Sequence, residues 1–579
     1  MLLNLPDQFS HESLKDISFG NVDAKRDEAL ESLFYVSKNT ALQKFKTGKY
    51  SIIVGEKGAG KTAIFRLFKD GKIQINDNVH ECINDFIEAG IDLALYNSLI
   101  TQLVRSHKQS KSNNLLKYQI VWELFFTYRL LLLCEGIPQF PTNLKSIKSN
   151  FEKFFSMSEK KGSILDFIKS FTIKNGFKIS TMNPEQIEFF SEIGANENVV
   201  KENNEKDNLN KLSFNLSMYK EQIDSFLKGN NIVARIFIDK LDDFVTKENY
   251  EFQKLFLQSL LYIEESYFDT EFIKIHIFLR KDLYDRLDKT SIGSDKLESR
   301  KISITWSKNE ISEFLARRIL FLYYHCFGIT RFEFAINEKK LYLDEKTMAN
   351  QFEQKVTNSK VFELLKALVP NTIKKKIQKN SKNIPKRSRY LDEQFNEDII
   401  FSIFPKEVLH LTRDGQSCYM NFIDFLISHT ALASGKTNPR MVLMFCDTLF
   451  EEINNYYEGN SDLKIPFEDG SYKLIPDDLF LSVYPKFQMK IFDIFRQYDF
   501  KKNDYFVNLA KIISTKQSIK ESELIVKMKV PTQSKIETEN FNRNLAFFVS
   551  SGVLGTETYI RNHSNRVYKI PIVFQKTIK

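Results

Sequence analysis

The chain has 579 residues, 42% of them hydrophobic, and a formal charge of +9, a size that fits about three to four domains with substantial cores. Its five cysteines, Cys82, Cys134, Cys326, Cys418 and Cys446, are scattered without a C-x-x-C pair, which argues against a zinc ribbon or a disulfide framework and for a reducing, cytoplasmic setting. No basic-then-apolar leader opens the sequence, and the most apolar run, Leu124 to Ile137, is short and carries Arg129 and Glu135, so neither a secretion signal nor a membrane span is expected.

Taken in order, Asp23 to Phe45 has the spacing of a long amphipathic helix, and Tyr50-Ser51-Ile52-Ile53-Val54 is a β-branched strand. The strand runs into Gly55-Glu56-Lys57-Gly58-Ala59-Gly60-Lys61-Thr62, and the helix-forming Ala63-Ile64-Phe65-Arg66-Leu67-Phe68 follows. Strand, Gly-x4-Gly-Lys-Thr loop and helix in that order form the Walker A pattern. Glycines let main-chain N–H groups turn toward phosphate oxygens, and the helix N-terminus adds partial positive charge. On this reading residues Gly55 to Ala63 cradle a nucleoside triphosphate, Lys61 reaches its β- and γ-phosphates, and Thr62 sets its hydroxyl on Mg2+. The alternative is a Gly-rich surface turn.

Ile91 to Ser106 and Tyr118 to Cys134 read as helices, and the polar residues from about 135 to 227 as an insertion of mixed helix and loop. Ile232 to Asp239 is an apolar run ending in an acid. A buried parallel strand next to the loop's own strand delivers such a carboxylate to Mg2+, so Asp239 is the expected Walker B residue. Ile273 to Leu279 is a further strand, with Ile275, Ile277 and Leu279 alternating onto one face. Arg280 at its end either senses the γ-phosphate or is a solvated strand terminus, since ligands of such sheets bind beyond the carboxyl ends of strands. His276 has no Cys or His partner near it in sequence and reads as an ordinary strand residue.

With the Walker A loop, the run Ile238-Asp239-Lys240-Leu241-Asp242-Asp243 and the Leu279-Arg280 strand end together, the chain resembles a bacterial P-loop ATPase family related to the origin-recognition-complex-like AAA+ ATPases. Phe19-Gly20-Asn21-Val22-Asp23 resembles that family's N-terminal segment, which implies that Phe19 and Gly20 lie against adenine. Ile304-Thr305-Trp306 with Glu310 to Ile319 resembles the start of its helical lid. Thr437-Asn438-Pro439-Arg440-Met441-Val442 resembles its sensor 2 element, which implies that Arg440 reports on the γ-phosphate. The resemblance covers about residues 17 to 70, 230 to 320 and 430 to 450, and extends to STAND-type signalling ATPases. Position 240 departs from the common AAA+ pattern, being Lys where an acid usually positions the attacking water. Asp243 first and Asp242 second take that role, and the shorter acid implies slow hydrolysis. No Asn-Lys-x-Asp element follows the loop, which points to ATP rather than GTP.

The positive charge collects toward the C-terminal end, where residues 475 to 579 hold 17 Lys and Arg against 10 Asp and Glu, leaving +2 for the first 474 residues. A second basic cluster, between 374 and 389, is a solvated loop or a phosphate contact. Phe506 to Ile513, Glu521 to Val530 and Thr538 to Ser551 read as helices, and Thr556 to Arg561 with Arg566 to Pro571 as a hairpin around Asn562-His563-Ser564-Asn565. Three helices and a hairpin form a winged helix. Lys535, Arg543, Arg561, Arg566 and Lys569 would neutralise phosphates of duplex DNA there. The alternative is a domain that docks a protein or its own lid.

The expected fold is therefore an α/β P-loop NTPase, AAA+-like with a parallel sheet, carrying a helical lid and a C-terminal winged-helix domain. Its expected domains are 1–305, 306–460 and 475–579. Two functions fit. One is an ATP switch with Mg2+ that couples nucleotide state to DNA binding or assembly. The other is a STAND-like scaffold of a bacterial antiviral defence system, which oligomerises with itself and recruits a protein effector with little hydrolysis. No membrane partner is expected. Arg280, Arg300, Arg317 and Arg318 are the candidates for an arginine finger.

Overall fold

The computed structural model describes residues 40–71, 80–89, 114–159, 210–241, 250–285, 294–325, 403–411, 416–458, 478–496, 504–514, 516–530, 534–556 and 567–575, with residues 19, 73–75, 176–179, 186–191, 287, 331–336, 339–344, 396–397, 399–401, 465–466, 472–473 and 475. Of the expected helix Asp23 to Phe45, Thr40–Phe45 is helical and residues 23–39 lie outside the described residues, as do the expected helix Ile91 to Ser106 and the basic cluster at 374–389.

The first half of the chain runs β1 (Ile52–Gly55), α1 (Lys61–Lys69), β2 (Glu81–Glu88), α2 (Asn114–Glu135), α3 (Thr142–Glu159), α4 (Leu216–Gly229), β3 (Ile232–Asp239), α5 (Tyr250–Phe268), β4 (Ile273–Arg280) and β5 (Lys301–Ile304). The second half runs α6 (Lys308–His325), β6 (Glu407–Leu411), β7 (Ser417–Asn421), α7 (Phe422–Thr430), α8 (Pro439–Glu458), α9 (Leu479–Ile494), α10 (Asp504–Ile513), β8 (Ser518–Lys520), α11 (Glu521–Lys527), α12 (Lys535–Ser550), β9 (Gly555–Thr556) and β10 (Val567–Lys569). The chain divides into two compact units, Lys44–Val54 with Gln74–Ser303, and Met1–Gln43 with Gly55–Ile73 and Ile304–Lys579.

The first unit is built on a five-stranded parallel sheet of order β2-β3-β4-β1-β5 with helices around it, which makes this part of the chain α/β. All eight residues of β3 are buried. A strand covered on both faces reads as one continuous apolar run, which is why β3 stood out in the sequence. β4 is likewise covered on both faces, every residue but Lys274 being buried. β2 pairs with β3 from Glu81↔Ile232 to Glu88↔Asp239, and β3 with β4 from Ala234↔Ile273 to Ile238↔Ile277, both parallel. Ser51, leading into β1, receives Ile277 N–H on its carbonyl at 2.7 Å and donates its own N–H to Arg300 O at 3.1 Å, which seats β1 between β4 and β5.

Helix α2 is apolar nearly all round and buried along most of its length, as an all-round apolar helix is expected to be. Trp122 is its centre, stacked on Phe126 at 5.7 Å and tilted against Phe256 of α5 at 4.7 Å. Its indole N–H donates to Phe256 O at 3.0 Å, so the polar end of the buried ring has a partner. Arg129 of α2 forks the Asp85 carboxylate of β2 at 2.6 and 2.5 Å. The polar stretch 135–227 holds more order than its composition implied: α3, α4 and an antiparallel sheet of Gly176–Ile179, Gln186–Ser191 and Asn210–Asn215.

In the second unit, α7 and α9 share an aromatic core in which Phe425 meets Phe445, Phe480 and Tyr484. Asn421 caps α7 through Ile423 N and Asp424 N. Toward the C-terminus α10, α11 and α12 accompany an antiparallel sheet of order β8-β10-β9. Tyr568 of β10 is buried and donates its hydroxyl to Glu521 at 2.8 Å. Of the expected hairpin, Gly555–Thr556 and Val567–Lys569 are strands and residues 557–566 lie outside the described residues; β8 is a third strand that the sequence did not announce. Among the described residues no helix is long and apolar enough to cross a membrane.

Candidate functional site

The segment after β1 is a glycine-rich turn that leads into α1. Gly58 and Gly60 have φ of 85° and 97°, values that glycine adopts without a Cβ penalty. Ala59 N–H closes a turn on Glu56 O at 3.1 Å, and Ile64 N–H on Gly60 O at 2.9 Å starts α1. No side chain caps that helix, and its N-terminus is the positive end of the helix dipole. Lys61 is buried, and its ammonium is held by two carbonyls of its own loop, Gly55 O and Glu56 O, each at 2.9 Å. Thr62 is half-buried in the first turn of α1 and Ala63 is buried behind it.

Two residues outside the motif complete the loop. Trp306 donates its indole N–H to Ala59 O at 2.9 Å. Asn438 donates Nδ2–H to Lys57 O at 3.3 Å while its Oδ1 accepts Met441 N–H at 3.1 Å, capping α8. Arg440, in the first turn of α8, packs so close to Gly58 that a Cβ there would lie 2.6 Å from Arg440 Cβ. The second unit thus places Arg440, Trp306 and Asn438 against the Gly55–Ala63 segment. Trp306 and Asn438 were not among the site residues read from the sequence. The available signals were slight: an Asn before a helix-opening Pro, and one of only two tryptophans.

Phe19 belongs to the same unit and is fully buried, its ring 4.9 Å from Phe450 and 5.9 Å from Phe404. Its carbonyl accepts from Arg318 at 3.1 Å. The phenyl group is thus part of an aromatic core. Gly20 lies outside the described residues.

In the sheet unit, Asp239 ends β3 and is 2% exposed. One expectation is corrected here: β3 is not next to β1, because β4 stands between them. Asp239 is on a strand about 10 Å from β1, two strand spacings away, and Arg280 is on the adjacent one. Arg280 is not a solvated terminus; its guanidinium is 9% exposed on the side chain and forks Asp282 with two bonds of 2.9 Å. Lys240 has φ of 62° and pairs with Glu88, the register partner of Asp239, at 3.1 Å. Asp242 and Asp243 lie outside the described residues. His276 is buried between the rings of Phe45 and Phe237, and burial pushes it down to about 3, so it stays neutral. The chain leaves β1 for the far edge at β2, returns through β3 and β4, and then passes to β5 on the other side. The order reverses at the carboxyl ends of β1 and β4, the kind of place where open α/β sheets bind ligands.

Of the other arginines, Arg300 is buried against Glu264 at 3.4 Å and Glu265 at 3.7 Å, and Arg318 lies over the Phe314 ring. Arg317 pairs with Glu313 at 2.6 Å. Among the five basic residues expected to meet DNA, Lys569 is exposed on β10; Arg561 and Arg566 lie outside the described residues, as do the side chains of Lys535 and Arg543 on α12. Among the described residues no three or more His, Cys, Asp or Glu gather as metal ligands.

Comparison of the chain with protein-family models, with curated proteins and with solved structures returned no match.

Proposed function

We propose that this chain is an ATP-binding switch of the P-loop ATPase type, AAA+-like in its core, in which nucleotide state is relayed through a helical lid to a basic C-terminal winged helix acting on duplex DNA. The observation that carries the reading is the Gly55–Thr62 loop, with two glycines at positive φ, an uncapped helix N-terminus and a lysine ammonium resting on loop carbonyls. A Cβ at Gly58 would fill the loop's flank, and the amides offered by such a loop suit the oxygens of a polyphosphate. Lys61 holds the β- and γ-phosphates, Thr62 holds Mg2+, and Arg440 senses the terminal phosphate. Magnesium supplies charge neutralisation between the phosphates.

A short segment supports the relay. Asn438 touches the phosphate loop at Lys57 O, and Ala433, five residues earlier, donates its N–H to Gly552 O at 3.0 Å at the end of α12. Gly552 has φ of 84°, and a Cβ there would lie 3.2 Å from Leu432 Cβ. A change at the loop therefore has a path of a few residues to the C-terminal helices. The order α10, β8, α11, α12, β9, β10 suits a winged helix, and the local charge favours phosphate contacts.

Titration with Mg2+-ATP tests the core of the proposal. The parent binds, and Lys61→Ala loses about 10- to 100-fold in affinity, the worth of hydrogen bonds from a charged donor; equal affinity of the two proteins refutes it. One observation favours a second reading, a STAND-like scaffold with little hydrolysis: at position 240 a lysine engaged with Glu88 stands where a water-orienting acid is common. Turnover stimulated by DNA supports the first reading; negligible turnover with nucleotide-driven self-assembly supports the second.

A further inference from the structure

We infer that Asn438 and Trp306 are positioning residues for the phosphates: each holds one carbonyl of the loop and thereby aims the next amide N–H. The inference rests on the nucleotide-binding reading and assigns two residues to it that the motif does not contain.

The argument starts from the planar trans peptide, in which C=O and the following N–H point in opposite directions. Fixing the carbonyl of Lys57 therefore fixes the N–H of Gly58, and fixing that of Ala59 fixes the N–H of Gly60. A loop with glycines at 55, 58 and 60 has little steric restraint of its own on these planes. The structure supplies restraint carbonyl by carbonyl. Gly55 O and Glu56 O accept from Lys61, Lys57 O from Asn438, Ala59 O from Trp306, and Gly60 O from Ile64 N–H. Two of these donors belong to the loop's own motif or helix, and only the two that govern the Gly58 and Gly60 amides come from distant sequence.

Both donors are themselves held. Asn438 Oδ1 is committed to Met441 N–H, so its amide group presents Nδ2 to Lys57 O. Trp306 is buried and set against Phe314 at 5.9 Å with an interplanar angle of 68°, and its indole nitrogen can only donate. Each amide is directed away from the side chain that holds its partner carbonyl. Donors aimed before the ligand arrives cost nothing to reorganise on binding, which is how preorganised sites gain affinity.

Two substitutions test this on the full chain. Asn438→Ser keeps an oxygen for the helix cap but does not reach Lys57 O; Trp306→Phe keeps an aromatic ring and removes the donor. Each is measured for Mg2+-ATP, for inorganic tripolyphosphate and for thermal midpoint, with Lys61→Ala beside them. The expected result is a loss of roughly three- to tenfold in affinity in each variant, of the same size for both ligands because the amides meet phosphates and not the base. The inference is overturned if both variants melt with the parent and bind tripolyphosphate as tightly, or if the loss appears with Mg2+-ATP alone. A parent that binds neither ligand sinks the nucleotide-binding reading itself, a separate outcome. The two residues lie on different elements, so unfolding of one variant leaves the other to decide.

Discussion

Replacing Gly58 by alanine tests the geometry of the loop against α8. Two costs add at this position. With φ at 85° an alanine must adopt a left-handed conformation, worth about 1–2 kcal/mol. Its Cβ would also lie 2.6 Å from Arg440 Cβ and 2.8 Å from Asn438 Oδ1, far inside contact distance, and overpacking of this kind costs about 1–3 kcal/mol. The total is about 2–5 kcal/mol unless the start of α8 moves off the loop. Gly71 provides the internal comparison: its φ is 68° and nothing lies within 4 Å of an added Cβ, so Gly71→Ala carries the conformational cost alone, about 1–2 kcal/mol. Hydrogen exchange of the slowest amides in α1 and α8 gives the opening free energy of both variants and the parent. The Gly58 variant is expected to lose more by about 1–3 kcal/mol and to show faster exchange in the first turn of α8. Equal losses in the two variants, or unchanged protection around Arg440, would show that the loop and α8 are not packed as described.

Two buried groups of the sheet unit should give opposite pH dependences. Burial, with a smaller contribution from Arg235, lowers His276 from 6.5 to about 3; its folded pKa is depressed, so its contribution is complete above pH 6.5 and is lost as pH falls toward 3. Burial raises Glu264 from 4.5 to about 7 against the opposing charge of Arg300; its contribution is complete below pH 4.5 and is lost as pH rises through 7. Where these windows overlap, from pH 4.5 to pH 6.5, the two slopes, each up to about 1.4 kcal/mol per pH unit, largely cancel. His276→Phe, placed among rings it matches, leaves Glu264 alone, so the variant's urea midpoint should fall from pH 5 to pH 6.5 while the parent's changes little; parallel profiles would refute the assignment. For the C-terminal sheet, Lys569→Ala and Arg566→Ala should each lower the slope of log affinity for duplex DNA against log salt by about 0.9 if each meets one phosphate, and a parent without salt-dependent DNA binding removes the DNA reading.

The parts of the fold that were legible are those where local pattern and burial coincide. β3 and β4 are covered on both sides and so read as mainly apolar runs, broken only by Arg235, Lys274 and His276 before their charged ends, and the glycine loop follows a β-branched strand directly. β2 was not legible: its residues Glu81, Asn84 and Glu88 break any apolar run, and only Ile87 in it is fully buried. The strands between 176 and 215 were hidden by polar composition, because a small antiparallel sheet needs only one covered face.

The sequence alone singled out the segment proposed to hold an anion, since two glycines, a lysine and a threonine at fixed spacing define the motif locally and need no distant residue to do so. Tertiary structure decided the rest: that β4 rather than β3 lies beside β1, and that Trp306 and Asn438, separated from their acceptors by 247 and 381 positions, hold the loop's carbonyls. Strand order and such long-range hydrogen bonds are properties of how surfaces meet after folding. A one-dimensional pattern records which side chains favour burial or donate a proton, and carries no term for which of many possible partners the folded chain sets within reach.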